Sequence, residues 1–106
     1  MDIGDITHLL HQIKCAEKAK KTMESALIAL GERQLDVVEK QLEGAAKECQ
    51  IGMFHRAALV DMITSWRSTA SQLKKSGHSD LANSCVEVAR YLNARLENGQ
   101  FMKEPR

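Results

Sequence analysis

The stretch Thr7–Cys15 reads THLLHQIKC. On a helix turning about 100° per residue, His8, His11 and Cys15 fall within one narrow arc. Imidazole and thiolate are good ligands for zinc or copper, and three from one helix plus a water would complete a site. Asp5, three residues before His8, could orient that ring as an outer partner. Two patterns count against a metal. Structural zinc sites draw on closely paired cysteines, and Cys15, Cys49 and Cys85 are far apart. A di-iron bundle needs two inward Glu-x-x-His motifs, whereas the nearest match here, DITH, stands alone. The arc also lies opposite Leu9, Ile13 and Leu27, so a solvated helix face accounts for all three side chains. The expectation is no metal and no cofactor, with His8, His11 and Cys15 as the weak candidate set.

The same stretch contains HQIK, in which Lys14 follows His11 by three residues. It is similar to the core of histidine phosphotransfer domains, where an exposed helix histidine accepts phosphate and a lysine three residues on steadies it. The resemblance spans about five residues. It implies a four-helix bundle with His11 as phosphoacceptor beside Lys14. The family has glycine directly after the lysine, which lets a partner approach; Cys15 stands there in this chain, which puts that approach in doubt.

A third chemistry is electrostatic. His11, Lys14, Lys18 and Lys21 form a basic stripe, and Arg56, Arg67 and Lys74 share one side of the third predicted helix. Such stripes can hold phosphates or an acidic partner. No aromatic residue is interleaved to stack bases, and 15 basic against 14 acidic residues leave a net charge of only +1. Nucleic-acid binding through Lys14, Lys18 and Lys21 is therefore a secondary alternative. Glu17, Glu24 and Glu39 fall on or near exposed faces, where carboxylates are not tuned for acid–base work. No Gly-rich phosphate loop is present, and the expectation is a non-enzyme.

The elements that must position these residues are all helical. Pro105 is the only proline of the 106 residues, and no stretch alternates in the manner of a strand. One run is Ile6, Leu9, Ile13, Ala16, Lys20, Met23, Leu27 and Leu30, with Lys20 laying its stem along the surface and Gly31 as the stop. The second is Leu35, Val38, Leu42, Ala45 and Cys49, backed by the i,i+4 pairs Asp36–Lys40 and Glu43–Lys47. The third is Phe54, Ala58, Met62, Trp66, Thr69 and Leu73, widened by Leu59 and Ala70; the fourth is Leu81, Cys85, Val88, Leu92 and Leu96. The predicted helices cover about 5–30, 33–50, 53–75 and 80–98, with a loose tail at 99–106 from which Phe101 and Met102 could dock. They form one domain, 1–106: an antiparallel four-helix bundle or two stacked helical hairpins. An offset of 46 aligns Gly31 with Gly77, Leu35 with Leu81, Leu42 with Val88 and Leu27 with Leu73. Duplication and plain bundle periodicity both produce such a match.

Four aromatics among 106 residues leave few walls for a small-molecule pocket. No apolar run is long enough for a membrane span, the N-terminus is unlike a secretory signal, and three unpaired cysteines suit a reducing cytoplasm. Cys49 and Cys85 fall on apolar faces as small buried hydrophobes. Val37, Val60, Val86 and Tyr91 lie off the main apolar stripes. Together with Trp66 as a potential anchor, they make protein binding the expected role: an adaptor, inhibitor or regulatory subunit, with a homodimer as a further way to cover such surface.

Overall fold

The computed structural model describes the backbone of residues 3–51 and 54–101 and the side chains of residues 17–50 and 54–101. It is all-α. Helices α1 (Ile3–Gly31), α2 (Leu35–Ile51), α3 (Arg56–Lys75) and α4 (Ser79–Glu97) form two antiparallel hairpins, α1–α2 and α3–α4. Helix α1 lies against α3, and α2 against α4, over smaller contacts. The paired elements run in parallel. Lys20 and Met23 meet Asp61 and Thr69 in order along α1 and α3, and Arg95 near the end of α4 reaches the carbonyl of Cys49 near the end of α2. No described helix is long and apolar enough to cross a membrane.

Side-chain size explains why the hairpins are tight and their mutual contact is looser. Ala26, Ala29 and Ala45 in the first hairpin, and Ala70, Ala82 and Ala89 in the second, are buried. Small residues let helix axes approach to the lower end of the usual 8–10 Å. The larger buried side chains, Met23, Leu42, Leu59, Met62, Trp66, Leu73 and Leu92, complete one core that draws on all four helices. Trp66 of α3 reaches across to α2, where its indole N–H meets Cys49 Sγ at 3.3 Å. Phe54 and Leu59, both buried, hold the N′ and N4 positions of a hydrophobic staple at the start of α3.

The apolar runs α2 and α3 were legible, with Val38, Leu42, Ala45, Cys49, Met62, Trp66 and Leu73 all buried. Others shift. Leu35, at 40% exposure, stands outside the core, because it opens α2 where the chain leaves the turn. In α1 the described buried line runs through Ala19, Met23, Ala26 and Ala29, with Leu27 at its edge. Lys20 does more than lay down its stem: its ammonium meets the Asp61 carboxylate at 2.8 Å and ties α1 to α3, which raises the Lys20 pKa. The predicted Asp36–Lys40 and Glu43–Lys47 ion pairs do not form. Among the described residues, the ion pair of α2 runs from Glu48 to Lys18 of α1 at 3.1 Å. Of the tail, Phe101 is half-buried and packs against the core, while Met102 lies outside the described residues.

Helix α1 ends at Gly31, as expected, but the left-handed residue of the turn that follows is Arg33, with φ 61°. Amide bonds from Glu32, Arg33 and Gln34 to the carbonyls of Ile28, Leu30 and Ala29 repeat from Ser76, Gly77 and His78 to Gln72, Lys74 and Leu73. The two hairpins thus turn by one device in register 44 residues apart, not 46, with Arg33 standing where Gly77 (φ 85°) stands in the second. An L-residue with a side chain is strained at such a φ, by about 1 kcal/mol relative to glycine. Arg33→Gly is expected to stabilise the fold by up to about 1 kcal/mol and Gly77→Ala to destabilise it by a similar amount. Urea unfolding of the two variants checks both signs.

Candidate interaction grooves

Three of the contacts between helices leave a groove at the surface. The one between α2 and α4 holds about 370 Å³ and is lined by Glu39, Leu42, Glu43 and Ala46 from α2 and Leu81, Ser84, Cys85 and Val88 from α4, with Trp66 at its base. On each wall these positions follow the i, i+3, i+4, i+7 spacing of one helix face, so the groove is two turns long, about 10 Å. Leu42, Cys85 and Trp66 are buried beneath it, and Ala46, Leu81 and Val88 are half-buried and form its accessible floor. Glu39 and Glu43 stand exposed on the rim. Among the described residues neither takes part in an ion pair, since those formed are Lys18–Glu48, Lys20–Asp61 and Arg90–Glu87.

A second groove, of about 330 Å³, follows the outer side of the α3–α4 hairpin. Its lining includes Ala70 and Ala82, the small residues that let the hairpin close, with Arg67, Lys74, Asn83 and Val86 around them. Arg67 and Lys74 of the basic side of α3 reach this groove, whereas Arg56 is exposed without lining it. A third, of about 260 Å³ between α1 and α3, has Met23, Leu27 and Thr69 in its walls and lies beside the Lys20–Asp61 pair.

The residues expected to bind a partner differ in exposure. Val37 and Val60 are each 39% exposed and Tyr91 45%, as their positions off the main stripes imply. Val86 is half-buried in the α3–α4 groove, and Trp66 is 1% exposed in the core at the base of the α2–α4 groove. Trp66 is thus the core piece that its place on the apolar face with Met62 and Leu73 implies, and its N–H is already occupied by Cys49. Tyr91 receives the Arg95 guanidinium at 5.9 Å from its ring centroid, while Arg95 also donates to the Cys49 carbonyl at 3.1 Å. In the basic stripe Lys18 is engaged with Glu48, and Lys21 is exposed. The side chains of His8, His11, Lys14 and Cys15 lie outside the described residues. Among the described residues no three His, Cys, Asp or Glu side chains converge on a point that could hold a metal.

Cys49 and Cys85 are buried free thiols. Burial pushes Cys85 from an ordinary 9.0 up to about 11. Burial also raises Cys49, opposed in part by the Trp66 N–H and the Arg95 charge. Below pH 9 the Cys85 thiol is protonated in folded and unfolded chains alike, so stability is unaffected. Between about 9 and 11 the unfolded chain releases a proton that the folded chain retains, so stability falls as pH rises. Chemical unfolding across pH 8–11 checks this: Cys85→Val is expected to flatten the decline over that window. The same burial predicts that neither Cys49 nor Cys85 reacts with a thiol reagent at pH 7 until the chain unfolds.

No protein family model, curated protein or solved structure matches the chain.

Proposed function

We propose that this chain is a non-enzymatic protein-interaction module, an adaptor, inhibitor or regulatory subunit that acts by binding a protein partner. The observation that carries this reading is the α2–α4 groove: apolar residues at helix-face spacing on both walls, open to solvent and two turns long. Apolar surface collected in a groove with a polar rim is the usual form of a recognition site for a protein segment. The described carboxylates and thiols support binding over chemistry, because Glu17, Glu24 and Glu39 face solvent and the two described cysteines are buried with raised pKa values. Lys18, one of the lysines of the nucleic-acid alternative, is committed to Glu48.

The test is affinity capture from the source cells with the intact chain and with Ser84→Arg. Ser84 is an exposed groove residue, so the arginine fills the groove without entering the core. The expected result is a protein held in stoichiometric amount by the wild type and lost from Ser84→Arg, with unchanged thermal unfolding. Retention of nothing but nucleic acid, or of no macromolecule at all, would contradict the reading.

A further inference from the structure

Resting on the protein-binding reading above, we propose that the α2–α4 groove receives an amphipathic helix that carries Lys or Arg beside its apolar stripe. Shape points to a helix. Helices α2 and α4 run parallel and leave between them a trough whose walls repeat every three or four residues, the geometry into which the apolar face of a third helix packs. A volume of about 370 Å³ lies at the small end of ligand pockets and suits a few apolar side chains rather than a whole cofactor.

Charge selects among helices. Glu39 and Glu43 occupy one rim one turn apart, both exposed and without an ion-pair partner among the described residues. The opposite wall contributes the neutral Ser84. A helix with cations flanking its apolar stripe gains two partners here, and one with acidic flanks meets like charge at both positions. The α3–α4 groove has the reverse character, with Arg67 and Lys74 at its edge and small alanines beneath, so the two surfaces select against each other's ligands.

The test is a displayed library of amphipathic helices about 18 residues long, beyond the length at which isolated helices are marginal. Their apolar stripe is fixed and their flanking positions are randomised, and they are sorted against the intact protein. Enriched sequences should carry Lys or Arg at the flanks. As synthetic peptides they should alter the emission of Trp66, the only tryptophan in the chain. They should bind Glu39→Lys/Glu43→Lys about tenfold more weakly than wild type, and binding should vanish with Ser84→Arg. Both glutamates are exposed, so this double variant keeps the core intact. Enrichment of neutral or acidic flanks, equal binding to the charge-reversed variant, or no enrichment at all overturns the proposal. The capture experiment is read independently. A partner captured through the groove while the library yields no basic helix leaves the protein-binding reading standing and rejects the basic-helix assignment.

Discussion

Trp66→Ala is expected to lower stability by about 3–5 kcal/mol, a large part of the 5–15 kcal/mol that holds a domain of this size. Trp66 is the largest fully buried side chain, and it reaches from α3 to α2 at the centre of four helices that otherwise meet mainly in pairs. Its removal leaves a void beneath Leu42, Ala46 and Cys85, next to the surface groove, and strips the Cys49 thiol of its donor. Trp66→Phe keeps most of the apolar volume and loses the N–H bond, so a cost of about 1–2 kcal/mol is expected. Urea unfolding followed by far-UV circular dichroism measures both. A loss below about 1 kcal/mol for Trp66→Ala would mean that the two hairpins do not depend on Trp66 to be held together.

The second large effect comes from adding volume. Ala89→Leu is expected to cost about 1–3 kcal/mol although leucine is nearly as good a helix former as alanine. Ala89 is 2% exposed in the buried line of α4, where small residues set the separation of α3 and α4. Extra methylenes there force the helices apart or the side chain off its rotamer. Ala45 holds the comparable place in the first hairpin at 0% exposure, and Ala45→Leu is expected to behave alike. Ala94→Leu, on the exposed side of α4, is the control and should change stability by less than about 0.5 kcal/mol. Unfolding midpoints of the three variants at unchanged slope give the comparison.

These alanines show where sequence pattern was informative and where it was not. Large apolar residues at steps of three and four located all four helices and most of the core between the hairpins, including Met62, Trp66, Leu73 and Leu92. The same pattern overlooked Ala26, Ala29, Ala82 and Ala89, because a methyl group carries little hydrophobic signal even where it decides how closely two helices pack. Gly31 ends α1 as its place in the sequence implies, while the left-handed residue of the turn is Arg33, a type that composition alone does not select. The α2–α4 groove was hidden for a related reason. Leu42, Leu81, Cys85 and Val88 belong to the expected core runs, and only the wider spacing of the hairpins around Trp66 turns their outer edge, with Ala46, into an accessible floor. The available signal is Glu39, expected on or near an exposed face, and Glu43, expected in a pair with Lys47, both flanking that stripe. Of the candidates chosen from sequence, Val37, Val60 and Tyr91 are exposed as their positions off the main stripes imply, but positions off a stripe say nothing about which helices come to lie side by side.

The most direct test of partner binding at the α2–α4 groove is an amide and indole N–H shift map of the ¹⁵N-labelled chain with its captured partner. Perturbations concentrated on residues 39–46 and 81–88 and on the Trp66 indole N–H are the predicted result. Perturbations confined to Lys18 and Lys21 of α1, or to Arg67 and Lys74 beside the α3–α4 groove, with Trp66 unmoved, would contradict it.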